Sequence, residues 1–266
     1  MIVSEPQTTD PQRSKASMSD YDYIPKLYDV EYDAPESNRQ SDEFFRATVD
    51  GARQRFNIHD YATLYRVPWL YDIALYHNLV CRTPTEMSAA IDKDWSEAGV
   101  ERASLRALEL GAGSGAFGHE LRYKLGIPHL EAIDICPEAA QAAQRDRAGL
   151  YDAYHIDDLT DLSPAGEAAL YAAELNVVAM ASATGWGNHI PLAGFEQSFD
   201  LLTRGGWFIF HVKPNDPDPE CIELCAWVEN KVADGRLDQK YRGSHFHRKS
   251  SDGSDIYYDV VVGVKR

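Results

Sequence analysis

Three glycines at alternate positions, Gly111, Gly113 and Gly115, stand between two carboxylates, Glu109 just upstream and Asp134 downstream. Glycine turns let a backbone pass close beneath a ligand, and N–H groups exposed at a following helix start attract polar or anionic groups. A carboxylate about 20 residues beyond such a turn can accept bonds from ribose hydroxyls. The spacing therefore predicts a nucleotide pocket, with Ala112 in the turn and Ile135 beside the acid as further lining. GAGSGA also satisfies the looser G-x-G-x-x-A form of a nicotinamide dehydrogenase. Glu109 argues against that reading: its charge would repel a pyrophosphate, whereas it could receive a ligand ammonium directly or through water.

Farther along, Asp157 and Asp158, followed by Leu159, come just after an apolar segment at 150–155. Either acid could reach an adenine amino group from the carboxyl end of a strand, or serve as a loop or cap acid. His189, close to Trp186 and Asn188, is the candidate general base, because histidine titrates near neutrality; a structural histidine is the alternative. His211 is a weaker candidate inside the apolar run WFIFHV. Tyr28 and Tyr32, in a stretch with four tyrosines between 21 and 32, could close over a substrate, or pack as a terminal arm. His59, Tyr65 and Trp186 could line its wall. Cys221, Cys225, His245 and His247 fit no common zinc spacing, and no metal is expected.

These residues need a scaffold that gathers strand ends. Apolar runs of strand length occur at 105–110, 130–135, 150–155, 175–181 and 207–212, separated by segments with helical spacing, and this alternation predicts a mostly parallel sheet. Two more strands, at 241–247 and 256–264, flank a Ser-Asp-Gly turn and predict a closing hairpin. Proline near the first turn opens a helix after Cys136, and a further helix is expected from Pro219 to Ala233. Residues 41–95 read as helical, with Phe44, Phe45, Thr48 and Val49 recurring at three and four. The expected fold is α/β, doubly wound, with a mostly parallel seven-stranded sheet, a C-terminal antiparallel hairpin and an N-terminal helical lid. The expected organisation is a disordered tail over 1–20, a Tyr-rich arm and lid over 21–104, and the cofactor domain over 105–266; Met18 is an alternative start.

The formal charge of −16, from 42 acids against 26 bases, disfavours a surface that tracks nucleic acid or an anionic membrane and favours a small-molecule partner. No stretch approaches a membrane span, the first 20 residues are too polar for a secretory signal, and the four cysteines lack disulfide spacing; a cytoplasmic protein, monomer or homodimer, is expected.

GAGSG preceded by Glu109, Asp134 within AIDICPEA, and RGGWFIF after an amphipathic helix together resemble the class I S-adenosylmethionine-dependent methyltransferases. More narrowly, YATLYRVPWLYDIAL and GNHIPLAGFEQSFDLLTRGG look similar to the Williams-Beuren-region methyltransferase-like group. The resemblance implies S-adenosyl-L-methionine as cofactor. It places the methionine part on the glycine turn, the ribose on Asp134 and the adenine near Asp157 or Asp158. It implies methylation of a small metabolite, with oxygen or nitrogen favoured; a non-methylating rearrangement and a non-catalytic binding module are the alternatives. Two departures stand out. Cys136 replaces the serine cap frequent before the proline, and the Asn-Pro-Pro-Tyr and Pro-Cys motifs of base methylation are absent.

Overall fold

The computed structural model describes residues 21–34, 42–184 and 189–266. The expected tail over 1–20 lies outside them. A short strand, β1 (Glu31–Tyr32), pairs with β2 (Phe44–Val49), and β2 pairs with β3 (Ala52–Asn57), all antiparallel. Here the expected helix is corrected to a hairpin. Phe45, Ala47 and Val49 are buried while Arg46 and Thr48 are exposed, a period of two. Asp50 and Gly51 both have positive φ (51° and 78°), the backbone that a two-residue hairpin turn demands.

Helical structure then begins as expected. Asp60 caps α1 (Tyr61–Arg66) by accepting the Thr63 N–H; α2 (Leu70–Asp72) runs on as π-helix over Ile73–Asn78; and α3 (Thr83–Ala98) ends on Gly99 in the left-handed conformation. Phe45, Phe56, Leu64, Leu70 and Ala74 form one cluster that joins the hairpin to these helices.

The core alternates strand and helix: β4 (Arg106–Leu110), α4 (Ala116–His119), β5 (His129–Asp134), α5 (Pro137–Asp146), β6 (Ala153–Ile156), α6 (Pro164–Ala172), β7 (Val177–Ala179), α7 (Leu192–Leu201), β8 (Trp207–Val212), α8 (Pro219–Ala233), β9 (Leu237–Lys249) and β10 (Asp255–Lys265). The strand order is β6-β5-β4-β7-β8-β10-β9, with the first five parallel and β10 antiparallel to both neighbours. This is the doubly wound, seven-stranded sheet with a terminal hairpin that the sequence predicts. Alternate residues fill the two faces. Leu108, Leu110, Val178, Phe208 and Phe210 pack with Phe195, Phe199 and Trp227 from α7 and α8. Ala107, Val177, Ala179 and Ile209 pack with Ile91, Trp95, Phe117 and Leu121 from the opposite side. Strand order reverses between β4 and β7, so the carboxyl ends of β4, β5 and β7 surround a crevice.

The N-terminal elements are bolted to this core by two buried ion pairs. Asp72 meets Arg147 at 2.7 Å, and Glu43 meets Arg248 of β9 at 2.5 Å. No helix among the described residues is long and apolar enough to cross a membrane.

Candidate functional site

At the crevice the chain encloses a cavity of about 540 Å3. Its inner wall is the turn after β4, where Gly111 and Gly113 have φ of 57° and 56°. A Cβ added at Gly111 would stand 2.6 Å from Ala183 Cβ, and one at Gly113 would stand 2.4 Å from the Tyr65 hydroxyl. Both positions therefore need glycine, for conformation and for space. Gly115 is not part of the wall; with φ of 95° it starts α4.

Glu109 closes the bottom of the cavity, 2% exposed, and its Oε2 accepts the Tyr151 hydroxyl at 2.7 Å. Burial pushes its carboxyl up to about 8, although Tyr151 and the nearby Arg147 pull the other way. Asp134, ending β5, accepts the N–H of Gly113 through Oδ2 (2.8 Å) and that of Cys136 through Oδ1 (2.9 Å). Burial raises its pKa too, opposed by those two N–H groups. Cys136 supplies no side-chain cap to α5. The acid thus ties the glycine turn to the next helix and keeps further lone pairs for a ligand.

Around this centre lie Ala112, Ile135, Asp157, Asp158 and Leu159. Ile135 is 67% exposed, an apolar face at the cavity lip. Asp157 is committed to the chain: it accepts from the N–H and hydroxyl of Ser163 and from the N–H of Asp158. Asp158 accepts the N–H and hydroxyl of Thr160, both through Oδ1. The positions expected to hold a cofactor are therefore brought together, Gly115 excepted.

No family model matches the chain, and no curated protein matches it. Among solved structures, an S-adenosylmethionine-dependent methyltransferase from Anabaena variabilis ATCC 29413 superposes with a TM-score of 0.50 at 15% identity, over 79% of this chain and 96% of that one. A candidate RNA methyltransferase from Pyrococcus horikoshii gives 0.50 at 14% identity, over 70% and 84%. The chain has the class I methyltransferase fold.

The side of the cavity away from the glycine turn is roofed by the N-terminal elements. Tyr61 and Tyr65 lie one turn apart on α1 and, with Tyr71, Tyr76 and His59, line the cavity. The Tyr61 hydroxyl stands 2.7 Å from His189 Nε2 across 128 residues of sequence. Burial, with His189 as the next cause, lowers His59 to about 3, so that ring is neutral. His59 and Tyr65, expected along a substrate wall, and His189, expected as a general base, all line the cavity. Tyr28 and Tyr32 do not: Tyr32 packs on Phe45 and donates to the Ala74 carbonyl, and Tyr28 joins the same apolar clusters. Both pack within these apolar clusters and neither lines the cavity. Trp186 lies outside the described residues. His211 is fully buried, and Cys221 is packed in α8.

Sequence reasoning did not single out Tyr61, Tyr71, Tyr151 or the Asp72–Arg147 pair. Tyr61 and Tyr65 carried a signal, the i, i+4 spacing that puts two rings on one helix face. Asp72 and Arg147 carried none, being 75 residues apart. The Arg147 guanidinium also donates to the Ser114 carbonyl (3.0 Å), and the Ser114 hydroxyl donates to Asp72 (3.1 Å), so the roof is fastened to the glycine turn itself.

Proposed function

We propose that this chain is an S-adenosylmethionine-dependent methyltransferase whose acceptor is an oxygen or nitrogen of a small molecule. The reading rests on one observation: Glu109, the Gly111 to Gly113 turn and Asp134 meet in a single cavity at the point where strand order reverses. A buried carboxylate at the end of β4 suits a ligand ammonium. A second carboxylate anchored by two N–H groups suits ribose hydroxyls, and the exposed Ile135 suits the face of a base. Asp158, which engages Thr160 through one oxygen, is better placed than Asp157 for an adenine amino group. The cofactor supplies an electrophilic methyl group.

The rest falls to the chain. The tyrosine wall orients the acceptor and excludes water. Tyr61 and His189 are hydrogen-bonded to each other, so a proton leaving the acceptor passes to the Tyr61 oxygen while the Tyr61 proton moves to His189 Nε2, or reaches His189 directly. The charge of −16 and the narrow, ring-lined cavity favour a small acceptor over a nucleic acid.

Calorimetric titration with S-adenosylmethionine, followed by incubation of the full chain with methyl-labelled cofactor and a metabolite extract, tests this. Cofactor binding that Asp134→Ala weakens about tenfold or more, with label appearing in a small product, supports the reading. No binding by the unaltered chain, or turnover that leaves the label on the cofactor, overturns it.

A further inference from the structure

The main cavity shares part of its lining, His189 included, with a second space. Behind His59, Tyr61, Tyr71, Ser182 and His189, all part of its wall, lies a smaller chamber of about 40 Å3 that reaches His211, His247, Arg248 and Tyr258. Such a space holds one functional group and excludes a ring.

Its chemistry follows from His211 on β8. The ring is fully buried, and its Nε2 accepts the Ser182 backbone N–H at 3.1 Å. Burial, then His245 and His189, lower its pKa well below the usual histidine range, so the ring is neutral. With Nε2 accepting, the proton sits on Nδ1, and that buried donor has no hydrogen-bond partner among the described residues. Native interiors rarely leave a donor in that state unless a ligand or solvent oxygen meets it. Charge is balanced as well. Arg248, the cation on the chamber wall, is held by both oxygens of Glu43 at 3.2 and 2.5 Å. His59 is neutral and His247 is pushed well below its usual range, chiefly by burial. The chamber therefore offers a hydrogen-bond donor without net charge: an anion would lose its hydration for no counterion, and a cation would meet a donor.

Between this chamber and the glycine turn runs an aromatic wall. Tyr61, Tyr65 and Tyr71 have ring centroids 5.1 to 6.2 Å apart, and the Tyr65 hydroxyl is packed over Gly113. A flat ring is the shape that lies along such a wall.

We propose that the chamber is a substrate subsite for an uncharged oxygen acceptor, and that the substrate class is a small planar molecule with two neighbouring oxygens, of the catechol or ortho-hydroxycarbonyl type. One oxygen lies at the Tyr61–His189 pair, and the other accepts from His211 Nδ1. The methyl-transfer reading is needed only to make the first oxygen the methyl acceptor.

The test uses four probes of one shape: salicylamide, salicylate, 2-(aminomethyl)phenol and phenol. Each is titrated into the full chain carrying 15N-labelled histidine, with and without S-adenosylhomocysteine. Salicylamide is expected to bind and to shift the His211 Nδ1 resonance, while the anion, the cation and phenol bind at least tenfold more weakly. His211→Phe is expected to weaken salicylamide at least tenfold and to change S-adenosylhomocysteine affinity less than twofold. Salicylate or the amine binding as tightly as salicylamide overturns the proposal. So does salicylamide binding without a His211 shift, or no probe binding at all. If salicylamide binds as expected but S-adenosylhomocysteine does not, the subsite stands and the methyl-transfer reading falls.

Discussion

Glu109 carries the most distinctive electrostatics of the site. Its carboxyl is raised from the usual 4.5 to about 8 by burial, so in the cofactor-free chain it stays protonated where the unfolded chain has already lost the proton. The folded form then binds more protons, and stability falls as pH rises from about 4.5 to about 8, by at most about 1.4 kcal/mol per pH unit. Glu109→Gln removes this slope, and urea midpoints of the two proteins at pH 5 to 8 should diverge accordingly; parallel curves would contradict the burial. A ligand ammonium requires the charged carboxylate, so cofactor binding should expel a proton and tighten between pH 6 and 7.5. Calorimetry in buffers of different ionisation heat reads that proton directly, and identical heats would exclude it. Asp134→Ala should weaken cofactor binding by roughly ten- to a hundredfold, the worth of a charged hydrogen bond of about 1.5–3 kcal/mol. These two acids were legible in the sequence because strand, turn and helix fix their separation. The Tyr61–His189 contact was not, because nothing local links residues 128 apart.

Among elements, the parallel strands could be read from their apolar runs, and β8 and α8 fall where the sequence places them. The β2–β3 hairpin could not be read from spacing of three and four alone, since Phe44, Phe45, Thr48 and Val49 satisfy both a helix and an alternating strand. Asp50-Gly51 was the deciding signal, a turn pair flanked by alternating residues. The bolt between α2 and the segment after α5 is open to test. Arg147 and Asp72 are nearly inaccessible, so Asp72→Asn leaves a buried guanidinium without its partner and should cost about 3–5 kcal/mol. Replacing both by apolar residues should recover much of that loss. Thermal melts of the single and double variants measure the difference, and an unaltered midpoint for Asp72→Asn would mean that the pair is not buried in solution.

For the whole molecule, 42 acids against 26 bases set the long-range field. Polyanion affinity depends on displaced counterions, so a labelled RNA should show no micromolar, salt-dependent binding in 150 mM salt. A gel shift that weakens steeply with added salt would contradict the small-molecule reading. The acceptor itself was illegible for a topological reason. The cavity walls that would face it come from residues 59–76, 182–184, 189–191, 211 and 247–258, and no one stretch of chain carries their pattern.

The two buried ion pairs also bear on how such a protein could be re-engineered. Asp72 is paired within the glycine turn's own network, and Glu43 is paired with the outermost strand of the sheet, while Thr83 is shared between His245 and His247 of that strand. Transplanting residues 21–98 onto another scaffold to change its specificity would strand Asp72 and Glu43 without their arginines. A workable exchange has to carry Arg147, Ser114 and the β9 face along with it, so the unit that can be exchanged is larger than the segment that roofs the cavity.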